Sequence, residues 1–125
     1  MNKREKTIIS AFGEGRDFTL WAPDGNPHDR VRCCGMSGER SYWLWRTRIA
    51  CLKGRTLTLS LGGYTTNTTL SRVDAFCAAY GLPVGIRRRG GEAVLVSIDG
   101  VPRHFGYWYS LDTDGCPCIR WKIER

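Results

Sequence analysis

The chain has 125 residues, of which 42% are hydrophobic, 11% aromatic and 25% charged, and its formal net charge is +7. Five Trp and a regular apolar alternation exclude a disordered tail, and the length suits one domain, 1–125, with a core that needs no covalent staples. Between Arg40 and Arg89, nine basic residues (Arg40, Arg46, Arg48, Lys53, Arg55, Arg72, Arg87, Arg88 and Arg89) stand against one acid, Asp74. That is a local charge of +8, which leaves −1 for the rest of the chain. A field of this kind attracts polyanions and speeds their encounter.

The first residues, Met1 to Lys6, are polar and charged, and the apolar run Ile8 to Phe12 is too short for the core of a signal peptide. No stretch has the length to span a membrane, so the expectation is a cytoplasmic protein without a membrane partner. Asp17 to Trp21 alternates with period two and predicts a strand, followed by a loop containing Pro23-Asp24-Gly25-Asn26-Pro27. Tyr42 to Leu52 alternates again and reads as one long strand. Trp43, Trp45, Thr47, Ile49 and Cys51 fall on one side, with Tyr42, Leu44, Arg46, Arg48, Ala50 and Leu52 on the other. Lys53-Gly54 supplies a tight turn, and Arg55 to Leu61 returns to complete a hairpin.

Next comes the one predicted helix. Thr65-Thr66-Asn67-Thr68 is dense in residues whose side-chain oxygens accept the orphan amides of a first helical turn. Leu70, Val73, Phe76, Cys77 and Tyr80 then form a single stripe at helical spacing. Gly81 suits a left-handed C-terminal cap, Leu82 its apolar partner, and Pro83 prevents continuation. Three strands follow: Val84 to Arg89 and Glu92 to Ile98 joined by Gly90-Gly91, and Val101 to Ser110 after an Asp99-Gly100 turn. Asp112-x-Asp114-Gly115 reads as a further turn, and Cys116 to Ile123 as a last strand. The fold class is therefore α+β: a twisted, largely antiparallel sheet of about six to eight strands, with one main helix packed on a face.

Six cysteines need an account in a reducing compartment. Cys51 and Cys77 fall at apolar positions, as buried thiols do. Cys33, Cys34, Cys116 and Cys118 supply four sulfurs, with His28 a further candidate ligand, but an adjacent pair and a Cys-x-Cys do not match the knuckles of structural zinc sites. Free thiols are expected, and no cofactor.

The hairpin and helix carry a resemblance. Thr47-Arg48-Ile49-Ala50, a Gly turn, a second strand and Gly63-Tyr64-Thr65-Thr66-Asn67-Thr68-Thr69 opening a helix resemble a group of small phage and plasmid proteins. Those share a Tyr-x-Ser/Thr-x-Thr-Thr signature at a helix start after a β-hairpin; here Asn67 is set inside the Thr cluster. The resemblance implies a mobile-element origin. In type, a small chain with lopsided charge and no recognisable active site is also similar to phage counter-defence proteins such as anti-CRISPRs.

The candidate binding residues are Arg46, Arg48, Arg55, Arg72, Arg87, Arg88 and Arg89. Arginines two apart on a strand place their guanidinium groups about 7 Å apart, near the spacing of successive phosphates, and the planar fork suits phosphate oxygens and stacks on bases. The aromatic residues of Tyr42 to Trp45 and Tyr107 to Tyr109 point to both faces of their strands: one set lies in the core, and the other is expected to cover the helix or fill the second side of a curled sheet, with a base-stacking platform as the alternative. His28 and His104 have no neighbouring Ser or Cys in a nucleophile setting, and no phosphate-binding loop or dinucleotide fingerprint is present. The expected function is binding rather than catalysis: an inhibitor of a nucleic-acid-bearing host defence complex, or a nucleic-acid-binding accessory protein, with a metal-dependent enzyme as the remote alternative. The expected partner is nucleic acid or a nucleoprotein complex.

Overall fold

The computed structural model describes residues 1–113 and 116–125. The element order is α1 (Lys3–Glu14), β1 (Phe18–Trp21), β2 (Pro27–Cys33), β3 (Arg40–Leu44), β4 (Thr47–Lys53), β5 (Thr56–Ser60), α2 (Asn67–Ala79), β6 (Val84–Arg89), β7 (Glu92–Ser97), β8 (Tyr109–Thr113) and β9 (Cys116–Glu124). Seven strands form one sheet in the order β1-β2-β3-β4-β5-β9-β8, while β6 and β7 form a separate hairpin. Every pairing is antiparallel except β5 with β9. The α+β class and the largely antiparallel sheet agree with the sequence.

Both helices pack on the same face of the sheet. Phe12 of α1 meets Phe76 of α2 edge-on at 5.0 Å between ring centroids, and Phe76 lies 5.4 Å from Tyr42 of β3. Beneath them runs a row of paired residues, Phe18, Val31, Tyr42, Ala50, Leu59 and Ile123, one from each of six strands. All but Phe18 are buried. The β6–β7 hairpin closes the far side of α2 with Val84, Ile86 and Ala93, which join the same core cluster. Its Ile86 N–H donates to the Asp74 carboxylate of α2 at 3.0 Å.

Helix α2 forms as its sequence predicts. The Thr66 hydroxyl accepts from the Thr69 amide, Gly81 adopts φ +64°, and the Leu82 amide closes onto Cys77 O at 2.9 Å. Burial among apolar neighbours pushes the Cys77 thiol up to about 12, so it stays protonated and inert.

Four expectations change. Strand β2 (Pro27–Cys33) lies where a loop was expected, because the turn formers around it, Pro23 to Pro27 and Cys34 to Gly38, mask its alternation. Helix α1 was not predicted, yet its first turn is closed by a reciprocal cap: Asn2 Oδ1 accepts from the Glu5 amide at 2.8 Å and Glu5 Oε1 accepts from the Asn2 amide at 3.1 Å. The single strand Tyr42 to Leu52 is in fact a hairpin, β3–β4, turning at Trp45-Arg46. The strand expected over Val101 to Ser110 begins only at Tyr109. There the Asp99 carboxylate captures the Val101 amide, Ser97 Oγ and the Arg103 guanidinium, and these bonds hold its pKa down at about 2. Pro102, which has no amide to donate to a ladder, follows at once. The turn read over Asp112-x-Asp114-Gly115 falls on Asp114 and Gly115, outside the described residues.

Candidate nucleic-acid interface

Because both helices and the hairpin occupy one face of the sheet, the other face is left open: among the described residues no helix packs on it. Strand register decides what that face displays, since paired residues point the same way and successive residues alternate. Three rows cross it. Thr19, Arg30, Trp43 and Arg48 form the first. Arg32, Ser41, Cys51, Thr58 and Lys122 form the second. Lys53, Thr56, Arg120 and Ser110 form the third. Each row carries two cations, so Arg30, Arg32, Arg48, Lys53, Arg120 and Lys122 lie on one uncovered surface.

Aromatic rings are interleaved with those charges. The Arg30 guanidinium lies 6.0 Å from the Trp43 ring centroid. The loop before β8 folds Trp108 over the end of β9, where Arg120 and Lys122 lie 4.2 and 4.5 Å from its ring. Stacked rings hold these cations extended over the sheet. Acids are few on this surface: Glu124 pairs with Lys122 at 2.7 Å, and Glu39 accepts from the Cys51 thiol at 3.4 Å. Burial and the Glu39 carboxylate raise the pKa of that thiol.

The residues singled out in the sequence scatter. Arg48 joins the open face, Arg55 lies in the β4–β5 turn, and Arg46 lies in the β3–β4 turn. Arg87, Arg88 and Arg89 belong to the hairpin on the helix side of the molecule. Arg87 pairs with Asp74 at 3.2 Å, Arg88 donates to the carbonyl of Thr65, and Arg89 is exposed near the tip. The three do not share a surface with Arg48.

Arg72 differs from the rest, because its guanidinium is buried and hydrogen-bonded internally. Its Nε donates to Asp29 Oδ1 at 3.0 Å and its Nη1 to Glu5 Oε2 at 3.1 Å. Asp29, fully buried, also accepts from the Tyr42 hydroxyl and lies 2.5 Å from His28 Nδ1. Burial works to raise the pKa of Asp29, but the Tyr42, Arg72 and His28 hydrogen bonds outweigh it and hold the carboxyl below its ordinary range. As an ionised carboxylate only accepts, the His28 proton sits on Nδ1. Glu5 behaves likewise: burial is outweighed by bonds from Ser71, Asn2 and Arg72. The Tyr42 hydroxyl is pushed far up by burial and the adjacent Asp29 charge. This network ties α1, β2, β3 and α2 together, with Arg72 Nε and Nη1 both bonded inside the scaffold.

The cations that the linear charge window missed are Arg30, Arg32, Arg120 and Lys122. Two precede the basic stretch and two follow it, and the period-two alternation of Arg30 with Arg32 and of Arg120 with Lys122 was the available signal. Among the described residues no three His, Cys, Asp or Glu side chains converge as a metal site requires. The Cys116 side chain lies outside the described residues.

Fold and surface together define a small α+β scaffold with an open, basic sheet face. The chain belongs to the Kyanoviridae Gp96 protein family, a family of phage proteins, whose model matches residues 1–107. The match runs from α1 through the loop before β8, so Arg120 and Lys122 lie beyond it. No curated protein and no solved structure matches the chain. No helix among the described residues is long and apolar enough to cross a membrane.

Proposed function

We propose that this phage protein works by binding single-stranded nucleic acid, free or held within a nucleoprotein, along its open sheet face. The observation that carries the reading is the three register rows, each with two cations, on a surface that no helix covers. Successive residues of one face lie about 7 Å apart along a strand, and a twisted sheet presents stacking rings to bases that a duplex would keep paired. Trp43 and Trp108 supply such rings between the cations. The protein acts as a binder and not as an enzyme in this reading, because the dense cluster of titratable groups around Asp29 is spent on joining helices to sheet.

In a phage family, the use we propose is inhibition of a nucleic-acid-bearing host defence complex, in the manner of anti-CRISPR proteins. Fluorescence anisotropy with a labelled single-stranded oligonucleotide and its duplex tests the interface. Single-strand binding should be lost in the charge-reversed variant Arg48→Glu/Arg120→Glu and kept in Arg87→Glu/Arg89→Glu. The opposite pattern would move the interface to the hairpin. Capture of a nucleoprotein from host lysate that survives nuclease treatment supports the inhibitor role, whereas capture abolished by nuclease supports an accessory role on bare nucleic acid.

A further inference from the structure

At one end of the sheet, the β3–β4 turn and the start of α2 enclose a cleft of about 740 Å³, within the range of small-ligand sites. Its floor is apolar, with Leu44 and Ile49, and two aromatic rings stand in its lining, Trp45 and Tyr64, 45% and 55% exposed. Trp45 packs one side against the His28 ring at 4.5 Å between centroids, and about half of each aromatic residue stays exposed to stack on a planar ligand. Two cations also line it. Arg46 is exposed, whereas Arg30 is half-buried with its Nε sealed from solvent and without a hydrogen-bond partner among the described residues. A donor in that state calls for an acceptor. The Thr66 and Thr68 side chains from the start of α2 add hydroxyls, and the amide end of this 13-residue helix favours negative charge. Among the described residues no acid lines the cleft.

We infer that this cleft binds a nucleoside 5′-phosphate, its base stacked on Trp45 or Tyr64 and its phosphate held by Arg30 and Arg46 at the start of α2. Both halves of that ligand follow from the lining. An anion alone leaves the rings and the apolar floor unused, and an apolar ring alone leaves Arg30 and Arg46 without an acceptor. The cleft shares Arg30 with the edge of the open sheet face but takes its other lining from the β3–β4 turn and the start of α2, and nucleotide binding in it does not rest on strand binding across the sheet.

Isothermal titration of the full chain with a nucleoside 5′-monophosphate, the corresponding nucleoside and inorganic phosphate tests it. The monophosphate should bind at least about tenfold more tightly than either fragment, the expected worth of one added charge-assisted contact or stacked ring. Arg46→Gln and the double variant Trp45→Ala/Tyr64→Ala, all at exposed positions and checked for native circular dichroism, should each weaken it by about tenfold or more. Arg48→Gln/Arg120→Gln should leave it unchanged. No measurable heat at millimolar monophosphate, or wild-type affinity in both cleft variants, would overturn the assignment. Inorganic phosphate binding as tightly as the monophosphate would overturn its nucleoside half. A protein that takes the monophosphate yet ignores oligonucleotides keeps this site and loses the sheet-face reading.

Discussion

Arg72 shows how far a residue's role depends on what folds around it. In the sequence it is one more cation of the basic stretch; in the fold it neutralises two buried carboxylates, Glu5 and Asp29, that come from different elements. Removing one partner of such a cluster leaves the others charged and unpaired in the interior, so Arg72→Met is expected to cost about 3–5 kcal/mol in urea unfolding at pH 7. The same network sets an acid limit. The folded pKa values of Asp29 and Glu5 lie below their ordinary ones, so their contribution is complete above about pH 4 and fades as pH falls through the lowered values. Wild-type urea midpoints should therefore drop below about pH 4, and drop less in Arg72→Met. A midpoint equal at pH 7 and pH 3 would remove the network from the stability account.

At the scale of elements, the sequence was legible where start, stripe and stop agree, as in α2, and where a Gly turn separates two alternating runs, as in β4–β5 and β6–β7. It was misleading at Tyr42 to Leu52 for a specific reason. The turn at Trp45-Arg46 shifts the inward phase by one residue, from Tyr42 and Leu44 to Thr47. A bulge then sets Ile49 and Ala50 opposite Tyr42 and restores the original phase at Ala50 and Leu52. The two shifts cancel, and alternation looks unbroken across a hairpin. Nor does the turn carry a glycine to announce it: Trp45 itself takes φ 55°, a region bulky residues rarely adopt. Helix α1 was missed although Asn2, Glu5, Ile8, Ala11 and Phe12 spell a capped helix, because the nearly continuous apolar run Ile8-Ile9-Ser10-Ala11-Phe12 is too short to show a helical period by itself. The return into α2 depends on Gly62, which has φ +62° and whose absent Cβ would lie 2.2 Å from Thr47 Cγ2. Gly62→Ala is expected to lose about 1–3 kcal/mol and to lower the thermal midpoint. An unchanged midpoint would mean that the loop repacks without strain.

For the whole molecule, charge along the chain and charge in space tell different stories. The basic window from Arg40 to Arg89 is divided by folding: Arg72 turns inward, Arg87 pairs with Asp74, and Arg46 faces the cleft. The open face instead collects Arg48 and Lys53 from the window, Arg30 and Arg32 from before it, and Arg120 and Lys122 from after it. Only register across seven strands assembles that surface, and no linear count reveals it. The parallel pairing of β5 with β9 is decisive, since it carries the last two cations beside the first four. The salt dependence of single-strand binding tests the central claim most directly, comparing wild type with Arg48→Gln/Arg120→Gln/Lys122→Gln. If the open face grips phosphates, the logarithm of the affinity falls linearly with log salt, and the triple variant's slope is shallower by about 2, at about 0.7 per cation removed. Identical slopes, or no binding by the wild type at low salt, would contradict it.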